Sequence, residues 1–247
     1  LDGRRRAGAG GLSAADPKPL GIVPLGDSAA YVEFSDRLDL EVNATVRRLG
    51  AALRARALPW VRDVVPALGG VALHFDLAHP ALPAAPLQEV AAAVEACLAA
   101  GLPAAEALGR QLEVPVCYDP EFALDLDAIA ERVKLAPEEV VQRHAVPEYQ
   151  VLMMGFAPGL PHLGGLDPRL ELPRRAAPRM VVPPGSIAIA GLQTVVYPYA
   201  IPGGWNVIGR TPLTLFDARG DPPSLFGPGD RVRFVPINRA EFERRRR

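Results

Sequence analysis

The sequence predicts an α+β protein of two domains. Residues 20–105 alternate strand-type and helix-type patterning, while beyond residue 149 the pattern changes to short β-type runs separated by glycine and proline. A chain of 247 residues with 49% hydrophobic content can fill two cores. The expected division is a leader over 1–19, a first domain over 20–105, a second over 110–238 and a basic tail over 239–247.

Ile22, Val23, Tyr31, Val32 and Phe34 suggest two short strands around the turn residues Gly26, Asp27 and Ser28. Asp39 is placed to cap a helix in which Val42, Val46, Leu49 and Leu53 recur at helical spacing. Arg47, Arg48, Arg54 and Arg56 are then assigned to its wet face. Residues 61–65 and 71–75 read as strands, and a second helix starting at Pro86 places Leu87, Val90, Val94 and Leu98 on one stripe before Gly101. The result is a small α/β sandwich-like domain. A strand over 112–117 opens the second domain, followed by helices over 125–133 and 137–144. Residues 151–154, 186–190, 194–197, 205–208, 213–216 and 231–235 are the short β runs, expected to close into a barrel or sandwich.

Composition excludes several classes. A net charge of −1 supplies no general attraction for nucleic acid or an anionic membrane. The helix pair 125–144 has the outline of a helix-turn-helix, but its second helix opens with Glu138 and Glu139, which repel phosphate. The two cysteines, Cys97 and Cys117, suit neither a disulfide framework nor a zinc site and read as buried thiols of a reduced cytosol. No apolar run reaches the roughly 20 residues of a membrane span, and residues 1–19 follow their arginines with glycine, serine and proline, the pattern of a disordered leader rather than a secretory signal. A cytoplasmic protein without nucleic-acid or membrane partners is expected. No Walker loop, Gly-x-Ser-x-Gly elbow or paired metal ligands occur.

The informative block runs from 144 to 217. It contains Gly155-Phe156-Ala157-Pro158-Gly159, Leu163-Gly164-Gly165-Leu166, Pro173-Arg174 and Pro178-Arg179. These are followed by Val182-Pro183-Pro184-Gly185-Ser186, Gln193-Thr194, Pro202-Gly203-Gly204-Trp205 and Gly209-Arg210-Thr211-Pro212. In this order and spacing the motifs resemble the carboxyltransferase-type domain of the KipI/allophanate hydrolase subunit 1 family. Gly26-Asp27-Ser28-Ala29, Val32-Glu33-Phe34 and Val64-Val65-Pro66 resemble its opening domain. The chain departs from the family at Leu160-Pro161-His162, where an aromatic pair is usual, at Val195, where glycine usually follows Gln-Thr, and at Gly69-Gly70, where polar residues are favoured. Those departures bear on substrate choice.

The resemblance implies a small N-terminal α/β sandwich-like domain followed by a C-terminal cyclophilin-like β-barrel. It also implies a role such as that of the B subunit of 5-oxoprolinase, which with the C subunit phosphorylates 5-oxoproline and with the A subunit hydrolyses it to glutamate. ATP, with Mg, would be the co-substrate of that complex, with no tightly bound cofactor and no metal site in this chain. The family also holds an inhibitor that binds a sensor histidine kinase and parts of urea carboxylase, and both alternatives stay open.

Arginine forks suit carboxylate and phosphate, so Arg174, Arg175 and Arg179 in a proline-stiffened loop, together with Arg210, are the candidate anion contacts, Arg179 and Arg210 foremost. Gly203 and Gly204 either admit a ligand close to the backbone or make a turn with positive φ. Gln193 and Thr194 either orient an amide or carboxylate or close a turn, and Trp205 either walls a pocket or fills the core. His144 is the candidate for proton transfer, supported by Tyr149, with a helix-capping role as the alternative. His74, His79 and His162 are assigned no chemistry.

Overall fold

The computed structural model describes residues 17–104 and 109–246, so most of the expected leader lies outside the described residues. The chain divides into two compact units between residues 108 and 109.

The first unit contains β1 (Gly21–Pro24), β2 (Ala29–Glu33), α1 (Leu40–Ala55), β3 (Val61–Pro66), β4 (Gly70–Phe75) and α2 (Pro86–Ala100). The strands form an antiparallel sheet of order β1-β2-β4-β3. Asp39 caps α1, its Oδ1 accepting from the N–H groups of Glu41 and Val42 at 2.8 and 3.0 Å, which satisfies two of the donors that a helix start leaves open. Pro86 starts α2, and Gly101, with φ of +86°, ends it. Val46, Leu49 and Leu53 of α1 and Val90 and Val94 of α2 pack with Val32, Val71 and Leu73 of the sheet in one core. Of the arginines assigned to the wet face of α1, Arg54 and Arg56 are exposed as expected, whereas Arg47 is buried and Arg48 half-buried. Arg47 is buried, with Nε donating to Asn43 Oδ1 at 3.0 Å and both terminal nitrogens left without a hydrogen-bond partner. Arg48 donates to Pro103 O and Arg54 to Val64 O. Long arginine stems let Arg48 and Arg54 reach these backbone carbonyls.

The second unit begins with β5 (Gln111–Cys117), α3 (Leu126–Val133), α4 (Pro137–Ala145), β6 (Tyr149–Met154) and β7 (Pro161–Gly164). It continues through β8 (Arg179–Val182), β9 (Ser186–Ala190), β10 (Gln193–Val196), β11 (Ile201–Gly203), β12 (Asn206–Arg210), β13 (Arg231–Ile237) and α5 (Arg239–Arg245). Seven strands close a barrel in the order β10-β7-β6-β13-β5-β12-β9, while β8 and β11 pair separately as a two-stranded ribbon. Strands β5 and β13 run parallel in full register from Gln111↔Arg231 to Cys117↔Ile237. The apolar run 213–216 forms no strand; it makes a single bridge, Phe216↔Ser224, and buries Leu215. A closed barrel has no edge left for it to join. The segment expected as a basic tail instead forms α5, capped by Asn238 Oδ1 on Glu241 N–H at 2.9 Å and anchored by Phe242 against Phe122 at 4.5 Å between ring centroids.

Residue His144, at the end of α4, lies inside the barrel core. Its side chain has no exposed surface, Tyr118 Oη stands 2.8 Å from Nδ1, Thr194 Oγ1 stands 3.4 Å from Nε2, and the ring stacks on Phe234 at 4.7 Å. The Tyr149 hydroxyl donates to the His144 carbonyl at 2.9 Å. Burial lowers the imidazole to about 3, so the ring is neutral at ordinary pH.

That shift sets a pH dependence. The unfolded chain protonates this histidine near 6.5, whereas the folded chain does not until about 3. Between those values the unfolded state binds more protons. The stability contributed by the neutral ring is therefore complete above pH 6.5 and declines as pH falls, by about 1.4 kcal/mol per pH unit. Urea unfolding followed through Trp205, with Trp60→Phe removing the other indole, should show this loss between pH 6.5 and 5. His144→Gln should flatten the slope, and equal slopes would refute it.

Candidate functional site

The ribbon packs on the barrel through apolar side chains: Val182 of β8 and Ile201 of β11 join Leu160, Ala188, Val195, Tyr197, Trp205 and Val207 in one cluster. Beside that cluster lies a cavity of about 200 Å³. Leu160, Val195, Tyr197 and Trp205 give it apolar walls, Phe156 and Pro178 contribute further apolar surface, and Arg174, Arg175 and His162 bring the polar groups. Gly203 and Gly204 complete the lining.

The arginine loop before β8 is tied to the barrel at three places. Asn206 Nδ2 donates to Pro173 O at 3.0 Å, and the Arg175 N–H donates to Gly204 O at 2.7 Å. The third tie is Asp125, buried at the start of α3. Its carboxylate accepts from Arg175 Nη1, from both terminal nitrogens of Arg179 at 2.7 and 2.8 Å, and from the Val207 N–H at 2.7 Å. Burial alone would raise the Asp125 carboxyl. The Arg179 and Val207 hydrogen bonds and the charges of Arg179 and Arg175 outweigh it, and the group stays ionised below its ordinary value. With its neighbours held, Arg174 lies over the Trp205 ring, 5.7 Å from the centroid. Arg175 Nε is buried without a hydrogen-bond partner.

A histidine occupies the opposite strand pair. His162 of β7 stands across from Val195 of β10, its ring edge-on to Trp205 at 5.8 Å. Gln193 Oε1 lies 3.2 Å from His162 Nδ1. A carbonyl oxygen only accepts, so the proton sits on Nδ1 and Nε2 is an acceptor. Burial pushes this imidazole below its ordinary value, and the nearby Arg174 charge adds to that, so it is neutral at pH 7.

Of the sequence-derived candidates, the structure brings Arg174, Arg175, Gly203, Gly204 and Trp205 to the cavity. Two others act behind it, Arg179 on Asp125 and Gln193 on His162. Thr194 and His144 lie within the barrel core. His144 is fully enclosed and does not line the cavity, so its imidazole does not touch a ligand held there. Arg210 is also elsewhere, its Nε donating to Pro184 O at 2.7 Å and its guanidinium over Phe122 at 5.8 Å. The glycine pair is not a positive-φ turn. Gly203 is required by close approach, since a Cβ there would come within 2.3 Å of Tyr197 Oη, whereas at Gly204 it would meet only Pro178 at 3.7 Å.

Sequence reasoning passed over His162 and Asp125 and left Arg174 behind its neighbours. One signal pointed to His162: the departures at Leu160-Pro161-His162 and at Val195 meet across β7 and β10, and Leu160, His162 and Val195 all line this cavity. Among the described residues no cluster of three or more His, Cys, Asp or Glu could hold a metal ion, and no helix is long and apolar enough to cross a membrane.

Comparison with known proteins gives the context. Residues 20–226 match the family model described as carboxyltransferase domain, subdomain C and D. The 5-oxoprolinase B subunit of Bacillus subtilis (strain 168) is 40% identical over 226 residues, which cover 90% of this chain and 94% of that protein. Among solved structures, TTHA0988 superposes with a TM-score of 0.74 at 34% identity, over 85% of this chain and 40% of that one, so this fold is less than half of that longer chain. The K. lactis urea amidolyase superposes with a TM-score of 0.74 at 20% identity, over 94% of this chain and 16% of that one, a likeness of fold alone. A match over most of its length, joined to close identity with a full-length relative, means that the chain belongs to the carboxyltransferase domain, subdomain C and D family.

Proposed function

We propose that the chain is the B-type subunit of a cytoplasmic, ATP-dependent 5-oxoprolinase. In this reading it is inactive alone, phosphorylates 5-oxoproline together with a C-type subunit, and with an A-type subunit takes the product on to glutamate. The observation that carries the reading is the small cavity with Arg174 laid over Trp205, in a chain whose relatives bear that subunit's name.

A lactam resists ring opening because its amide is resonance-stabilised, and phosphorylation of the amide oxygen makes the ring carbon a better electrophile. The protein's part is to position the ring and to clamp charge. A cavity of about 200 Å³ lies below the roughly 300–1,000 Å³ of sites for drug-sized ligands, a size that favours a single small ring over a nucleotide. Arg174 pairs with the ring carboxylate, Trp205 and Tyr197 flank the ring, and His162 Nε2 accepts the lactam N–H.

The residues lining this cavity do not fit ATP or Mg, since the space is small and no carboxylate lines it. In this reading the nucleotide is held by the C-type partner.

Mixing the purified chain with the A-type and C-type subunits should give glutamate formation that requires both ATP and 5-oxoproline and is lost when the chain is left out. Activity unchanged by that omission rules the assignment out. In the reconstituted complex, Arg174→Gln should raise KM for 5-oxoproline by about 10- to 100-fold, the size of a charge-assisted hydrogen bond, with a smaller effect on kcat. An unchanged KM would remove Arg174 from the carboxylate site.

A further inference from the structure

The register of β7 and β10 brings His162 and Gln193 together. His162 stands opposite Val195 and Gln193 opposite Gly164, so the two are diagonal neighbours on one face of the strand pair. Gly164 presents no side chain, which leaves room for the Gln193 amide to lean toward the imidazole, and its Oε1 lies 3.2 Å from Nδ1. His162 lines the cavity and Gln193 does not. Any effect of the amide on a ligand therefore passes through the ring.

Fixing one ring nitrogen decides the other. A neutral imidazole without a partner exchanges its single proton between Nδ1 and Nε2, and so presents either a donor or an acceptor. With Gln193 Oε1 against Nδ1 the proton is held there, and among the described residues no hydrogen bond engages Nε2. Burial, with the Arg174 charge adding to it, keeps the ring from taking a second proton that would make both nitrogens donors. The edge-on contact with Trp205 at 5.8 Å supports the ring from another side. At this point the wall offers a lone pair, set among the apolar surfaces of Leu160, Val195 and Trp205. An acceptor left unmatched in such surroundings is costly.

We infer that Gln193 is a positioning residue that selects the substrate class: by holding the His162 proton on Nδ1, it restricts the cavity to small ring carboxylates with a ring N–H, that is secondary lactams, and turns away lactones and N-alkylated lactams. The inference rests on the proposed 5-oxoprolinase reading and adds a basis for choosing between rings of equal size. A lactone sets a ring oxygen where the lactam has its N–H, so two lone pairs face each other. An N-alkyl group removes the donor and occupies its space as well. Apolar walls separate isosteric rings poorly, whereas a polar group left unpaired by the wrong ring separates them sharply. The carboxylate held by Arg174 is common to all these rings and does not discriminate between them.

In the reconstituted complex, the γ-lactone of 2-hydroxyglutarate and N-methyl-5-oxoproline are tested as competitors of 5-oxoproline. Each should inhibit glutamate formation with a constant about 10- to 100-fold above the KM for 5-oxoproline, the size of one unmatched buried acceptor. In Gln193→Leu the ring proton is free to move, so the KM for the lactam should rise, the lactone should compete better, and the ratio between them should fall about tenfold. Gln193→Glu still accepts from Nδ1 and should restore the ratio at mildly alkaline pH, where the ring stays neutral. A merely structural role would weaken all the rings together and leave the ratio as it was, which would overturn the inference. A second measurement needs no partner. Nitrogen-15 spectra of the imidazoles in the intact free chain, with His162 assigned by its loss in His162→Phe, should show His162 protonated on Nδ1. Protonation on Nε2 instead, or a lactone that competes as well as the lactam while glutamate formation still requires the chain, overturns the inference and leaves the functional reading standing. If glutamate forms without the chain, the functional reading fails and the substrate selection falls with it.

Discussion

Asp125 is the constraint on which the candidate site depends. A single buried carboxylate at the start of α3 receives Arg175, Arg179 and the backbone of β12, and so adds a side-chain anchor to a loop also tied through Leu172, Pro173 and Arg175. Buried ion pairs are weak evidence of net stability, because desolvation offsets much of their attraction. Removing one partner is different: it strands the remaining charge and costs about 3–5 kcal/mol. Asp125 thus specifies a geometry rather than simply adding stability. With Arg175 and Arg179 turned toward it, Arg174 is the cation of the loop left over the Trp205 ring.

The second unit separates two kinds of polar group. Inside the barrel, His144, Tyr118, Tyr149 and Thr194 satisfy one another around a neutral imidazole, which holds α4 against the barrel core without burying charge. Beside the barrel, the cavity carries the guanidinium groups of Arg174 and Arg175 next to a histidine kept neutral by burial. In the proposed reading such a wall holds an anion and offers an acceptor to a neutral N–H. Gly203 belongs to the same design, since the Tyr197 hydroxyl occupies the space that a side chain would need.

Periodicity made much of the fold legible. Asp39, Pro86 and Gly101 announced the ends of α1 and α2, and the runs at 186–190 and 231–235 carry the β-branched residues of barrel strands. Strands β7 and β11 were hidden because Pro161, Gly164, Pro202 and Gly203 read as turn residues, and pairing, of β7 within the barrel and of β11 with β8, overrode that local signal. The run at 213–216 erred the other way, as an apolar segment with no edge to join. The motif block contains the residues that line the cavity, but motif membership does not report orientation. His144 and Thr194 point into the core, Arg210 lies elsewhere, and Asp125, some 50 residues from Arg175, entered only through the fold. Arg47 was misread because charge alone suggests solvent, while the packing of α1 encloses its guanidinium.

The most direct measurement is hydrogen–deuterium exchange over residues 173–182 in Asp125→Asn. The Arg175 amide, bonded to Gly204 O, reports the loop's attachment. Loss of the carboxylate should speed its exchange by about tenfold or more, the factor that ~1.4 kcal/mol gives, while β5 and β9 remain as protected as before. Exchange identical to that of the unmodified chain would show that the loop is held without Asp125 and would contradict the account.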